Sequence, residues 1–219
     1  MLLSGSPRVQ PQLGAVEAGH GIPVIQRLLV ATTNPHKIGE IRPLLAGLPV
    51  EIVTLADLPP MDEPEESGRT FAGNARLKAL HYAARSGLPT VAEDSGLEVD
   101  ALGGAPGVES ARFGGPGASY PQKFALLYDR LRAAGSVDSP ARFVCALALV
   151  EHGAVTFEAR GVVEGRIAPS PSGGGGFGYD PAFFYPPFGC TLAEAGDRKH
   201  EVSHRAQAFR KLRTFLARP

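Results

Sequence analysis

The chain of 219 residues has no tryptophan, only two cysteines and no excess charge of either sign. Each shortage excludes something. Cys145 and Cys190 are too few for a disulfide framework or a zinc site. Cys145 lies in an apolar run and reads as a small core residue. A reducing cytoplasm is therefore the expected compartment. With 22 basic and 22 acidic residues the formal charge is zero, which argues against a nucleic-acid or membrane-surface binder. A small anion needs only a local group of cations, so it stays open as a ligand. No apolar stretch approaches the length of a membrane span. Residues 1–26 lack the basic start and long apolar segment of a signal peptide. Rich in Gly, Pro and Gln, they read as a flexible extension or an over-long start, with the domain proper at 27–219. No Walker A sequence, Gly-x-Ser-x-Gly elbow or His-Glu-x-x-His pattern occurs. Gly173, Gly175 and Gly178 match the spacing of a dinucleotide fingerprint, but Pro181 and aromatic residues follow where a helix must begin.

What is present is an ordinary 43% hydrophobic content and a clear alternation of strand and helix signals. Arg27 to Thr32 reads as a buried strand. Asn34 is a good N-cap and Pro35 suits the first helical position, with Ile38, Ile41, Leu44 and Leu45 at helical spacing. Val50 to Leu55 reads as a second strand, followed by an acidic loop over 56–69. Thr70 caps a helix that Gly87 and Pro89 stop. Asn74 and Lys78, four apart, share one of its faces. Ser119 caps a helix over Pro121 to Ala133. Ala141–Val150 and Val155–Val163 form a hairpin around His152-Gly153. Glu109 to Phe113 reads as an exposed segment. Phe183 to Tyr185 reads as a short strand, and Ser203 caps a last helix.

Pro89 to Gly96 concentrates the chemistry. A short apolar strand, Thr90 to Ala92, runs into Glu93, Asp94, Ser95 and Gly96. Adjacent carboxylates at the end of a core strand repel one another and lose solvation, so a divalent cation is a natural partner. An exposed turn of the same residues is the other reading. Two helix starts tip the balance. Lys37 sits in the first turn of one helix, and His204 and Arg205 in the first turn of another. The helix dipole disfavours cations there unless they help to hold an anion. Beside a Gly-rich loop and a pair of acids, they point to a polyphosphate site with a bound metal.

Several segments in order resemble the inosine triphosphate pyrophosphatase, or Ham1-like, family. They are Ala31 to Glu40, Glu65 to Phe71 with Asn74-Ala75 and Lys78-Ala79, Ala92 to Leu97, Gly104 to Gly107 with Ser110-Ala111-Arg112, Gly175 to Pro181, and Lys199 with Ser203-His204-Arg205. The likeness runs from about Leu28 to Leu216. It implies an α/β fold with an elongated mixed central sheet, flanking helices and two lobes around an active-site cleft, usually as a homodimer. It implies cleavage of ITP, dITP or XTP between the α and β phosphates, giving a monophosphate and pyrophosphate. A Maf-like pyrophosphatase of other modified nucleotides is the alternative. Glu93 departs from the aspartate frequent at that position in bacterial relatives, and Thr33 from a frequent glycine.

Carried over residue by residue, the resemblance gives Thr32, Thr33, Asn34, Pro35, His36 and Lys37 to the triphosphate. It gives Glu65 and Asp94 to magnesium, with Glu66 a neighbouring candidate. Asp94 is also the expected acceptor of the attacking water's proton, with Glu93 as its rival. Ser95 donates to substrate, Phe177 stacks on the purine beside Gly178 and Tyr179, and Asp180 closes the ribose side. Lys199, His204 and Arg205 complete the pocket. Donors from Arg205 or loop N–H groups would match the C6 oxygen of inosine and xanthine and mismatch the adenine amino group.

Overall fold

The computed structural model describes residues 25–217; the expected extension lies almost wholly outside the described residues. Among the described residues seven strands form one mixed sheet in the order β2-β1-β3-β4-β5-β6-β7. They are β1 (Arg27–Val30), β2 (Glu51–Thr54), β3 (Thr90–Val99), β4 (Pro140–Glu151), β5 (Ala154–Ile167), β6 (Phe183–Tyr185) and β7 (Cys190–Thr191). β1 runs parallel to β2 and β3, and the remaining pairs are antiparallel. The helices are α1 (Pro35–Leu45), α2 (Phe71–Ser86), α3 (Tyr120–Ala133), the single turn α4 (Lys199–Val202) and α5 (His204–Leu216).

The helix ends follow local chemistry. Asn34 accepts from the backbone N–H groups of His36 and Lys37 at the start of α1, with Pro35 in the first position. Thr70 accepts from the Gly73 N–H, and Gly87 ends α2 in the left-handed conformation. Ser203 caps α5 through the Ala206 N–H.

β3 corrects the sequence reading. It is one ten-residue strand, not a short strand ending at two acids, and Glu93 and Asp94 lie in its middle. The turn alternative falls with it, because Thr90 to Asp94 are all buried. The segment read as exposed, Glu109 to Phe113, is also revised. Ser110 and Phe113 are buried, since they pack beneath α3 and the Gly-rich loop.

Strand alternation divides the core. On one face, Val91 of β3 joins Leu147 and Leu149 of β4, Ile41 and Leu45 of α1, and Phe209 and Leu212 of α5. Further along that face, Leu97 and Val99 join Phe143, Leu127 and Leu131 of a second cluster built around α3. Between these two clusters the same face carries Glu93 and Ser95. On the opposite face, Ala92 packs with Ala75, Ala79 and Tyr82 of α2, and Asp94 follows. The cleft is thus the interval between two hydrophobic cores that share one strand. β1 stops where Val30 pairs with Val91, so β3 has no strand on that side from Ala92 onward. Beside this open edge, Glu93 and Ser95 line the cleft, and Asp94 lies on the opposite face of the strand.

Candidate active site

The cleft has a volume of about 490 Å³. It is lined by Thr32, Thr33, Asn34 and Lys37 from the segment leading from β1 into α1, and by Glu63 to Glu66 and Lys78. Also lining it are Phe177, Gly178, Tyr179, Asp180, Lys199, His204 and Arg205, with Ser110, Arg112 and Tyr120 along the wall. Most of the residues marked in the sequence therefore converge. Pro35, His36 and Asp94 do not line the cavity itself. His36 instead stacks on Phe177, with ring centroids 5.4 Å apart and an interplanar angle of 8°.

Glu93 is the hub of a buried charge network. Lys37 Nζ lies 2.8 Å from it, and Arg205 donates to it from both Nε and Nη2 at 3.3 Å. Burial alone would favour the neutral acid, but Lys37, Arg205 and Lys78 together hold its pKa well below the usual carboxylate range. Arg205 reaches on to Ser95 Oγ at 3.0 Å and to Glu40. Glu40 also accepts from Lys199 at 2.7 Å, and Lys199 donates to Asp180 at 2.7 Å. Glu40 stays low in pKa: burial is outweighed by Arg205 and Lys199. Asp180 is shifted upward by burial despite Lys199.

Two expectations about the helix-start cations change. Lys37 and Arg205 do hold anions, but in this structure the anions are Glu93 and Glu40 of the chain itself. His204 is not a cation: burial and neighbouring Arg205 hold its pKa well below its ordinary value. Its ring stacks on Phe143 at 4.9 Å, and its Nδ1 has no hydrogen-bond partner among the described residues. Arg205 has five N–H groups, and four bonds to Glu93, Glu40 and Ser95 occupy most of them.

On the other face of β3, Asp94 accepts from Asn74 Nδ2 at 3.0 Å and from Lys78 Nζ at 3.2 Å. Asn74 and Lys78 therefore act as a pair along one face of α2. Burial raises the Asp94 pKa above its ordinary value even though Lys78 and Asn74 oppose it. Lys78 also donates to Glu66 at 2.8 Å. Burial would favour a neutral Lys78, but Asp94, Glu93 and Glu66 raise its pKa. Glu65, the carboxylate expected beside Asp94, stands exposed at the cavity rim, while Glu66 turns inward.

Two glycines are required by close approach. A Cβ at Gly96 would lie 2.3 Å from Ser110 Oγ, which donates to the Gly107 carbonyl and accepts from the Leu97 N–H. Gly176, at φ +68°, leaves room for Asp180 Oδ2, which accepts from the Phe177 N–H at 2.8 Å. That bond fixes the Gly-rich loop at Phe177. Tyr179, expected to flank the purine, is mainly a core residue whose hydroxyl donates to the Ser110 carbonyl at 3.0 Å.

Sequence reasoning gave no role to Glu40, Arg112 or Tyr120. Glu40 left a signal, since it lies three residues after Lys37 on the same helix and so shares its face. Arg112 lay in a segment that carries the family resemblance, but its role was not legible because its partner Glu66 is remote in the chain.

Comparison with known proteins agrees with this geometry. The chain is 49% identical to a dITP/XTP pyrophosphatase of Exiguobacterium sp. over 187 residues, covering 85% of this chain and 94% of that one. It is 43% identical to a dITP/XTP pyrophosphatase of Photorhabdus laumondii, covering 86% and 96%. Its fold superposes on a HAM1 protein from Coxiella burnetii with a TM-score of 0.80 at 38% identity, covering 87% of this chain and 98% of that chain. The Ham1 family pattern matches residues 28–215, and the chain belongs to the Ham1 family.

Proposed function

We propose that this chain hydrolyses deaminated purine nucleoside triphosphates, ITP, dITP and XTP, to the monophosphate and pyrophosphate, and so clears them from the nucleotide pool. The observation that carries this reading is one cleft lined by the cations Lys37, Lys78, Arg112, Lys199 and Arg205 and by Phe177, with Glu93 on its wall and Asp94 reached through Lys78. The names of the relatives support the same substrates over a Maf-like range. Release of pyrophosphate from dITP, compared with dATP and dGTP, tests it. Phosphate as the product, or equal rates on all three nucleotides, would overturn it.

Thr32, Thr33, Asn34 and Lys37 form the phosphate end, at the start of an eleven-residue helix, while Pro35 opens that helix and His36 backs Phe177. Asp94 is the general base. Asn74 and Lys78 fix its carboxylate at hydrogen-bonding distance on the α2 side of β3, in position to take the attacking water's proton. Glu93 is unsuited to that work because Lys37 and Arg205, both bonded to it, leave its carboxylate with little affinity for a proton. At the base end Phe177 stacks on the purine, Ser95 and Asp180 bind the nucleoside, and His204 Nδ1, with Arg205 and Lys199 beside it, reads the base edge. A neutral His204 whose Nδ1 carries the proton donates to a C6 oxygen and leaves an amino group unmatched. Such a mismatch is worth up to about 10⁴-fold in selectivity.

Magnesium belongs to this reading. Among the described residues no three His, Cys, Asp or Glu side chains gather as a metal cage. Magnesium is commonly held by one or two carboxylates with substrate phosphates completing the shell. Asp94 with Glu65 or the inward Glu66 fits that need, and Lys78 already places a positive charge between Asp94 and Glu66. When bound, the ion supplies charge neutralisation of the phosphates and a lowered pKa for water. A homodimer is supported by the family resemblance, and a reducing cytoplasmic setting by two free cysteines. No helix among the described residues is long and apolar enough to cross a membrane.

A further inference from the structure

Arg112 stands apart from the buried network. The backbone on both sides of it is fixed. Ser110 is bonded to the Leu97 N–H and the Gly107 carbonyl, and its own carbonyl accepts from Tyr179. The Ala111 carbonyl accepts from Lys123 Nζ at 2.6 Å. Phe113 is buried beneath Arg130. On this rigid mount the Arg112 side chain remains 47% exposed and lines the cleft.

Its partners are Glu109, its own neighbour at 3.1 Å, and Glu66 at 2.9 Å from the opposite loop. Glu66 in turn holds Lys78, and Lys78 holds Asp94. Arg112, Glu66, Lys78 and Asp94 thus form an alternating row from the cleft wall to the general base. Ion pairs this exposed are weakly held, and a guanidinium exchanges a carboxylate for a phosphate without loss of its two-pronged geometry. Anything in the cleft that takes Glu66 as its partner loosens Arg112 from it.

We propose that Arg112 is a ligand of the substrate's β and γ phosphates, the part that departs as pyrophosphate, and that in the ligand-free protein Glu66 holds it in reserve. Arg112 then distinguishes triphosphates from monophosphates, a selectivity separate from the reading of the base. The assignment rests on the pyrophosphatase reading.

The test compares wild type, Arg112→Met and Arg112→Lys. KM for dITP is measured together with inhibition by pyrophosphate and by dIMP. In Arg112→Met, KM and the pyrophosphate inhibition constant rise about 10- to 100-fold, as for loss of a charge-assisted pair, while dIMP inhibition stays within about twofold. Arg112→Lys, which keeps the charge without the fork, falls between. Unchanged pyrophosphate inhibition overturns the proposal, and so does an equal weakening of pyrophosphate and dIMP, which marks a strut of the cleft wall. Should Arg112→Met not fold, the lysine variant decides by the same ratio. Calorimetric binding of pyrophosphate separates this proposal from the reaction itself. A wild type that releases no pyrophosphate from dITP overturns the activity, whereas Arg112 is then judged on whether its variants lose pyrophosphate binding.

Discussion

Glu93 and Asp94 are neighbours in the chain and occupy opposite faces of β3, and their surroundings differ in kind. Glu93 faces α1 and α5 and is enclosed by two cations at close range, Lys37 and Arg205. Asp94 faces α2, where its partners are one amide and one lysine that it shares with Glu66. The outcome is two carboxylates of opposite tendency, one locked as an anion and one with increased proton affinity. Two acids in sequence are therefore not two equivalent ligands. One organises Lys37, Arg205 and Ser95, and the other is left to react.

The largest effect expected is on turnover. Asp94→Asn lowers kcat/KM for dITP by about 10⁴-fold, the upper range for removal of a general base, in a pyrophosphate-release assay. Glu93→Gln breaks the pattern differently, because Lys37 then loses its counter-charge and the buried Arg205 keeps only Glu40. It destabilises the fold by about 3–5 kcal/mol in urea unfolding, as expected when one member of a buried pair is removed. Retention of full stability would show that Glu93 is not the hub.

A smaller effect is expected at the base end. His204→Phe keeps the ring stacked on Phe143 and removes Nδ1. It narrows the dITP-to-dATP preference by about 10-fold or more, in paired kinetics, if Nδ1 donates to the base. The last expectation concerns pH. The folded-state pKa of Asp94 lies above the ordinary 3.8, so its ionised form opposes folding and that opposition is relieved as pH falls through the folded value. Glu93 has the reverse sign: its stabilisation is present above the ordinary 4.5 and lost as pH falls toward its depressed value. Accordingly Asp94→Asn melts at or slightly above the wild-type temperature at pH 7, whereas Glu93→Gln melts well below it. Calorimetric scans of both variants sharpen the contrast, and matching melting temperatures would abolish it.

The same pair marks where sequence reasoning reached its limit. α2 was legible because Thr70 and Gly87 are local signals that act within a turn or two of the chain. β3 was not, because charged residues followed by Ser and Gly imitate a turn. Only Lys37, Lys78 and Arg205, far away in sequence, make it possible to bury those charges in mid-strand. His204 was misread as a cation for a related reason, since its burial against Phe143 is a tertiary fact. Residues that cap, turn or alternate announced themselves, and residues whose state depends on a remote partner did not.

The early end of β1 has a consequence of its own. β1 stops at Val30, opposite Val91, and its next backbone N–H, that of Ala31, donates to the Val91 carbonyl before the chain turns away. The length of this strand sets an aperture. One further pair of ladder bonds would place backbone alongside Glu93 and draw Ala31 and Thr32 out of the loop that leads into α1. The point at which β1 ends therefore sets both the open edge of β3 and the position of the loop that faces it.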